Sequence, residues 1–452
     1  MVGGGIAGLT AAFHLKRRGV GVRLLEATDR LGGTLATRRR DGFLLEGGPD
    51  SFLTSKPAGI ALAEALGLSD TLIGINPDLR RSFVLSRGRL VPVPEGFYLL
   101  APASLGALVR TPLFSWAGKV RMALEPLIPA RRDGVDESLA AFVRRRLGRE
   151  ALERFAQPMA GGIYTADPER LSLAATLPQF QEMERTHGSV LKGLRHLPRG
   201  TSGPRYGLFA TFRDGMQTLA DALVSRLDGA CRTSSSVAAL SGPGPWRLTL
   251  ASGEVLETDA LCLAPGAPGM VRLLEDVDPV LSAELVGIPC ADSATLNLAF
   301  RRDQVAHPLD GMGFVVPAVE GMNLLSCSFS SRKFPGRAPE GSVLLRAFIG
   351  GALQPDRYAL SDAALVAAVL DDLRRILGIQ GEPLFAELAR HPRAMPQYHL
   401  GHLERVARVE ARMPALPGLA LAGNAFRGPG IPDCIASGER AASSLAGLFG
   451  GS

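Results

Sequence analysis

The sequence predicts an α/β fold whose principal domain is discontinuous, completed by an α+β domain and a helical insertion. Three observations carry this expectation. A glycine-rich turn between apolar segments opens the chain, a second strand, glycine turn and helix closes it, and the intervening blocks switch between helical and strand periodicity.

The opening turn is Gly3-Gly4-Gly5-Ile6-Ala7-Gly8, followed by a helical pattern through Leu9, Ala12, Phe13 and Leu15 that Gly19 closes. Val20 to Glu26 then reads as a strand ending in an acid. This is the G-x-G-x-x-G order of a Rossmann-type domain. Gly3 makes the tight turn, Gly5 lets backbone approach a pyrophosphate, and Gly8 permits close helix–strand packing. The helix N-terminus favours phosphate charge, and Glu26 can accept ribose hydroxyls. Only Met1 and Val2 precede the fingerprint, where a central strand of several apolar residues belongs, so the sequence is expected to start late.

Two more glycine turns follow, Gly32-Gly33-Thr34 and Glu46-Gly47-Gly48-Pro49-Asp50-Ser51-Phe52. An NAD dehydrogenase has no need of them, whereas the ribityl chain and ring of FAD extend beyond the pyrophosphate and require more backbone. A third segment, strand Leu419–Ala422, Gly423-Asn424 and Gly428-Pro429-Gly430-Ile431-Pro432-Asp433, leads into a helix expected from about Cys434. Its dipole would stabilise negative charge on a reduced ring.

Between the ends, Ser234 to Leu240 with Val237 reads as a strand. Trp246–Leu250 and Val255–Thr258 form a hairpin turning at Ser252-Gly253, and Leu261–Ala264 is a buried strand stopped by Pro265. Residues 95–204 are helical, with Asp136 capping a helix through Leu139, Phe142, Val143 and Leu147, Glu150–Met159 continuing it, and Ser172–Leu197 adding another. Phe97 to Leu100, Leu113, Phe114 and Trp116, near Arg110, Lys119 and Arg121, either seat on a membrane surface or form a helical core. Residues 273–400 mix strands Thr295–Phe300, Leu324–Phe329 and Val343–Ile349 with a helix Asp362–Leu377. The expected division is 1–78, 205–272 and 401–452 for the nucleotide domain, 79–94 and 273–400 for a substrate domain, and 95–204 for the helical domain.

Composition narrows the function classes. At 452 residues with 46% hydrophobic and 21% charged residues, the chain should fold into two or three soluble domains. Charges of both signs alternate despite the net +6, which argues against nucleic acid. Five scattered cysteines without a C-x-x-C pair point away from disulfides and zinc, and toward a reducing cytoplasm. No secretory leader precedes the first motif, and no apolar run approaches the roughly 18 residues of a membrane span.

The combined motifs resemble the flavin-containing monoamine oxidase superfamily, and more closely the oxygen-dependent porphyrinogen oxidases, which comprise protoporphyrinogen IX oxidase and bacterial coproporphyrinogen III oxidase. The resemblance rests on Gly47 to Phe52, Gly161-Gly162-Ile163-Tyr164, Met395-Pro396-Gln397-Tyr398-His399-Leu400-Gly401-His402 and Gly428 to Cys434. The last two are nearer the coproporphyrinogen branch. It implies non-covalent FAD held by Gly3, Gly4, Gly5, Ile6, Ala7, Gly8, Glu26, Ala27, Arg30, Gly33, Thr34, Gly48, Pro49, Asp50, Ser51, Val237, Gly423, Ile431, Pro432 and Asp433. It also implies porphyrinogen and oxygen as substrates, with Arg80, Arg81 and Gly162 toward the porphyrinogen, and six-electron oxidation on the haem pathway with release of hydrogen peroxide. Arg87 and Arg89 are further candidates for the pocket mouth.

Implied surroundings are cytoplasm or the inner membrane face, a monomer or homodimer, and hand-off of product to a ferrochelatase. Relatives commonly place a propionate-binding arginine where Ser82 stands, and a flavin-contacting tryptophan where His391 stands. No Ser-His-Asp set, carboxylate dyad or metal cluster is evident, which suits chemistry carried by a cofactor. His399 and His402 are structural, or else shuttle protons. Two other readings stay open: another flavin oxidoreductase such as an amine oxidase or carotenoid desaturase, and a non-catalytic flavin- or tetrapyrrole-binding protein. An amine oxidase usually builds an aromatic cage, which Tyr 5 and Trp 2 make hard to supply.

Overall fold

The computed structural model describes residues 1–79, 81–94, 96–196 and 209–449. Its core is a parallel sheet in which Val2 bridges Leu25 on one side and Leu263 on the other. Leu24–Leu25 pairs outward with Cys231–Arg232, and Leu261–Leu263 with Leu419–Leu421, so segments from both ends and the middle of the chain share one sheet. The strand expected over 20–26 forms a ladder only at Leu24–Leu25, because its neighbour supplies just Cys231–Arg232 there and residues 20–23 lie partly exposed. Helices Ile6–Arg17 and Ile431–Ala446 cover this sheet and pack through Ala7, Ala11 and Leu15 against Ala441, Ala442 and Leu445. Small residues set how closely they meet: a Cβ at Gly438 would fall on the Ala7 carbonyl oxygen. The C-terminal helix starts at Ile431 rather than near Cys434, since Pro432 is compatible with a first turn, where no N–H is required.

A seven-stranded sheet forms the second layer, in the order 385–396, 290–301, 342–350, 326–328, 313–315, 83–86, 89–92. The last two strands come from a segment remote in sequence; Phe83–Ser86 runs parallel to Gly313–Val315 while the other pairings are antiparallel. Alternation decides its faces. Leu296, Leu298, Leu345 and Ala347 point to helix Asp362–Leu377 and meet Leu365, Val369 and Leu373, each large aliphatic contributing about 1.5–3 kcal/mol. The alternate positions Thr295, Asn297 and Arg346 face the glycine-rich segment after Glu46.

Helices dominate residues 105–194. Ser138, not Asp136, caps helix Leu139–Arg146, its hydroxyl accepting the Ala141 N–H at 3.1 Å. Asp136 instead accepts Gly401 N–H, tying this unit to the 395–402 run. The stretch from Ser172 breaks into Leu173–Thr176, Pro178–His187 and Val190–Leu194, interrupted at Leu177 before proline and at Gly188 in the left-handed region; Leu197 lies outside the described residues. Arg146 is fully buried on Glu125, whose carboxylate also accepts the Val190 and Leu191 N–H groups.

Of the residues considered for membrane contact, Phe97, Leu100, Leu113 and Phe114 are core. Lys119 folds back to donate to the Val109 carbonyl, and Arg121 donates to the Arg145 and Arg146 carbonyls. Only Trp116 among the large apolar ones is exposed; it joins Leu105, Val109, Val120, Leu124 and Leu127 in an apolar set on two neighbouring helices and the short turn that follows the second. For Phe97, Leu100, Leu113 and Phe114 the helical-core alternative holds; the pattern alone could not choose, because exposure is set by the tertiary partner. Among the described residues no helix is long and apolar enough to cross a membrane.

Candidate functional site

The N-terminal turn is shaped for a close ligand. Gly3 has φ +103° and lies against Ala264 and Pro265, while a Cβ at Gly8 would fall on the Gly3 carbonyl oxygen. Gly5 differs: a Cβ there would meet nothing within 4 Å. It faces open space at the start of helix Ile6–Arg17, whose N-terminus has no side-chain cap. Glu26 sits beside this opening, accepting Gly4 N–H at 2.6 Å and Thr28 N–H and Oγ1–H at 2.8 Å each. Ala27 follows it, and Ser235 N–H bonds the Glu26 carbonyl, which brings buried Val237 to the same edge. Arg30 curls over the next turn, donating to the Leu31, Gly33 and Leu35 carbonyls. That turn returns to the fingerprint: Gly32 N–H bonds Gly4 O, and a Cβ at Gly33 would lie 3.1 Å from Gly5 Cα.

Gly48 abuts Thr34, whose carbonyl oxygen a Cβ at Gly48 would strike. Side chains from three strands of the large sheet hold its own carbonyl and the two before it. Asn297 donates to Glu46 O (3.0 Å), Thr295 (2.7 Å) and His391 (2.8 Å) to Gly47 O, and Arg346 to Gly48 O. Pro49 follows, and then Asp50, whose carboxylate takes Lys333 Nζ at 3.0 Å on both oxygens and the Ser51 hydroxyl at 2.8 Å, with Arg346 Nη1 3.9 Å away. Burial alone would raise the Asp50 pKa, but Lys333 and Arg346 outweigh it and hold the group down at about 2. Glu46, buried with fewer compensating contacts, is raised by that burial, and burial lowers His391. Arg346 is lowered from its usual value for the same reason, yet an arginine stays charged near neutral pH.

The C-terminal segment closes the cradle. Gly423 has φ +132° and open space on its Cβ side, and its N–H bonds Ser437 Oγ at 3.1 Å. Helix Ile431–Ala446 begins without a side-chain cap, with Pro432 in its first turn and Asp433 paired to Lys56 at 2.6 Å. The 395–402 run holds the preceding loop. Tyr398 Oη donates to Asn424 O and accepts Gly428 N–H at 2.8 Å. Its ring stacks on His402 at 4.0 Å, and His402 Nε2 donates to Phe426 O at 2.7 Å. The Tyr398 and His402 side chains are both spent on loop geometry, which for His402 is the structural alternative; burial lowers the His402 and His399 pKa values.

Other substrate candidates are dispersed. Arg81 is exposed and lies 3.7 Å from Asp310, and Ser82 beside it is buried; Arg80 lies outside the described residues. Arg87 and Gly88 present backbone N–H groups to Glu320, and Arg89 is exposed in its edge strand. Gly162, at the end of helix Gln157–Tyr164, opens toward Val315. Close to this helix lies a half-open cavity of about 370 Å³, walled by Val316, Leu324, Leu325 and Leu353, with Gln157 and the exposed Arg357 also lining it. No cluster of three or more metal-ligating side chains occurs among the described residues.

Sequence reasoning missed Thr295, Asn297, Lys333 and Arg346, and gave Tyr398 a place in the 395–402 run without a role. The available signal was period-two alternation: Thr295 and Asn297 interrupt an apolar strand on one face only, which marks a face packed against polar backbone.

These features fit FAD. Two uncapped helix N-termini leave N–H groups for phosphate and flavin oxygens, and Gly5 and Gly423 keep their Cβ sides clear between them. The pattern of flavin containing amine oxidoreductases matches residues 6–446. The chain is 38% identical to a coproporphyrinogen III oxidase of Propionibacterium freudenreichii, over 98% of this chain and 90% of that protein. It is 35% identical to the coproporphyrinogen III oxidase of Bacillus subtilis, over 99% and 98%. A solved structure from Exiguobacterium sp. 255-15, provisionally named a protoporphyrinogen oxidase, superposes with a TM-score of 0.88 at 34% identity, covering 98% of this chain and 97% of that one. The mixed α/β fold, the glycine cradle and full-length similarity agree: this chain belongs to the flavin-containing amine oxidoreductases and, within them, to the protoporphyrinogen and coproporphyrinogen III oxidases.

Proposed function

We propose that the protein oxidises a porphyrinogen to its porphyrin, using FAD and oxygen, with coproporphyrinogen III as the preferred substrate. The observation that carries this is the joining of glycine segments from both chain ends into one elongated cradle within a full-length porphyrinogen-oxidase architecture. Bound in the cradle without a covalent link, FAD would accept hydride from a meso carbon and return the electrons to oxygen as hydrogen peroxide. Three rounds balance one porphyrinogen and three oxygen molecules against one porphyrin and three peroxides. The buried thiol of Cys434, nearest the flavin-facing helix start, is pushed up to about 12 by burial and makes a poor partner for covalent attachment.

The protein's own work is to position and desolvate. Gly5 and the helix Ile6–Arg17 receive the pyrophosphate, Glu26 the ribose, and Gly48 to Ser51 with Gly423 and Ile431 to Asp433 flank the ring system. Residues 1–78, 205–272 and 401–452 would carry the cofactor; 79–94 and 273–400 would form the substrate domain and 95–204 the helical one. The cavity of about 370 Å³ mixes apolar walls with Gln157, Gln354, Asp356 and Arg357, and Arg357 is the group on it that would take a substrate carboxylate. No base is needed, since the adjacent pyrroles stabilise the cation left by hydride loss.

Among the described residues neither tryptophan is placed to build an aromatic cage for an amine. Trp246 is buried in the hairpin core and donates to Pro417 O, and Trp116 is on the surface. The exposed set of Leu105, Val109, Trp116, Val120, Leu124 and Leu127 supports peripheral seating on a membrane, which vesicle flotation of W116S against the native protein tests. The deciding experiment follows porphyrin fluorescence with both porphyrinogens in air, in parallel with the FAD-free protein. Emission rising faster than spontaneous oxidation, fastest with coproporphyrinogen III, is expected; no acceleration with either removes the assignment.

A further inference from the structure

A buried charge must be matched, and behind the Gly48–Ser51 segment it is not. Arg346 is 2% exposed on the strand Ser342–Gly350. One of its nitrogens donates to Gly48 O, while Nε and Nη1 are buried without a hydrogen-bond partner among the described residues. Its register partner across the sheet, Asn297, also buries an unpartnered Oδ1. The surrounding charges do not cancel. Asp50 is the nearest carboxylate, and Lys333 already takes both of its oxygens at 3.0 Å, leaving Arg346 at 3.9 Å. Arg337, also 2% exposed, adds a cation that is spent on the carbonyls of Phe212 and Arg213 and on Thr211 Oγ1. Glu46, the remaining acid, is occupied by Met216 N–H and Thr37 Oγ1. Three cations thus face two carboxylates in a region largely withdrawn from solvent, since Asp214, the further acid acting on Arg337, is exposed and paired to Arg39.

Such an excess is expensive unless something anionic offsets it. Evenly buried apolar neighbours cannot do so, and Phe348 offers only its ring face, 4.6 Å from the guanidinium carbon. Geometry aims the excess at the cradle. Thr295 and His391 hold Gly47 O on the sheet side, and a trans peptide carries its N–H opposite its carbonyl, so Gly48 N–H is directed away from the sheet.

We propose that Arg346 is a positioning residue for the flavin, fixing the Gly48 backbone and leaving an unmatched positive charge behind it that favours the reduced ring. The inference rests on the reading that FAD lies along Gly48 to Ser51. It assigns the seven-stranded sheet a role in the redox poise of the cofactor, in addition to forming the substrate side of the molecule. Because Nε and Nη1 are enclosed, the charge acts across the Gly48 peptide and Asp50 rather than by touching the ring.

The test is an anaerobic spectroelectrochemical titration of the full chain loaded with FAD, comparing the native protein with R346Q, R346K and D50N. At the potential where the native flavin is half reduced, the ratio of reduced to oxidised flavin should fall on the order of tenfold in R346Q, as expected for one unit charge removed several ångströms away in a partly buried site. R346K should recover most of that fall. D50N removes a negative charge at nearly constant shape, so its ratio should move the opposite way. If R346Q does not hold FAD, D50N and R346K carry the comparison. A ratio unchanged in R346Q, or shifted in the same direction by R346Q and D50N, overturns the proposal, because a merely mechanical role has no sign. Failure of the native protein to bind FAD at all overturns the cofactor reading instead.

Discussion

Tyr398 offers the sharpest test of how the cradle is held. Its hydroxyl makes two hydrogen bonds into one loop, accepting Gly428 N–H at 2.8 Å and donating to Asn424 O, and the residue is 1% exposed. Tyr398→Phe keeps the ring and its 4.0 Å stack on His402 but leaves the Gly428 N–H buried without a partner. An unsatisfied buried amide costs about 1–3 kcal/mol, and the lost donation to Asn424 O adds less because carbonyls tolerate fewer partners. About 2 kcal/mol is expected in total, which must emerge in one of two places. If the loop stays formed without FAD, the FAD-free protein loses the whole amount and melts a few degrees lower, with affinity for FAD unchanged. If the loop forms only on binding, the FAD-free melt is unchanged and the dissociation constant for FAD rises roughly 30-fold, since about 1.4 kcal/mol is tenfold. Thermal melts with and without FAD, together with fluorescence titration of FAD, separate these outcomes. A variant that melts with the native protein in both states and binds FAD within twofold would refute the clamp.

Gly5→Ala should leave the stability of the FAD-free protein close to native, since its Cβ meets nothing within 4 Å, while weakening FAD by at least tenfold under the proposal that phosphate takes that space. Gly8→Ala should behave in reverse, destabilising the FAD-free fold by more than about 1 kcal/mol through collision with the Gly3 carbonyl; equal effects of the two in both assays would contradict the cradle. His14, His307, His391, His399 and His402 all have pKa values lowered by burial from about 6.5, so the unfolded chain binds protons first as pH falls. Their contribution to stability is complete above about 6.5 and is lost as pH drops through the lower folded values. The FAD-free melting temperature should therefore fall between pH 7.5 and 5.5, and His402→Gln should flatten the fall; a melt that rises over that interval sinks the sign of the argument.

Local chemistry made much of the fold legible in advance. The hairpin of Trp246–Leu250 and Val255–Thr258 and the helix Asp362–Leu377 are where periodicity and turn residues put them, because each is specified by its own segment. Elements went astray where a partner decides. The strand expected over 20–26 shrank to Leu24–Leu25 because a ladder needs two edges. The apolar residues from Phe97 to Phe114, which offered a choice between membrane surface and core, went to the core once the helices around them closed. Asp136 is a plausible cap by type, but Ser138 has the register that reaches the third residue of the helix.

The site divides along the same line, and the division is informative about what a motif can encode. Glycines and the terminal acid Glu26 act through backbone geometry that is local, so their pattern survives in the sequence. The polar residues that hold Glu46, Gly47 and Gly48 act across about 250 to 350 positions: Thr295 and Asn297 from one strand, Arg346 from the next, and His391 from a third. Nothing adjacent to these residues announces their target, and each alone reads as an ordinary polar interruption of a strand. Only the sheet register, which sets Asn297 opposite Arg346 and His391 opposite Ser293, gathers them on one face. Where the resemblance implies a flavin-contacting tryptophan, His391 bonds the Gly47 carbonyl. Motifs record where the backbone turns tightly and is closely approached, while the residues that determine how firmly those turns are held are distributed by topology.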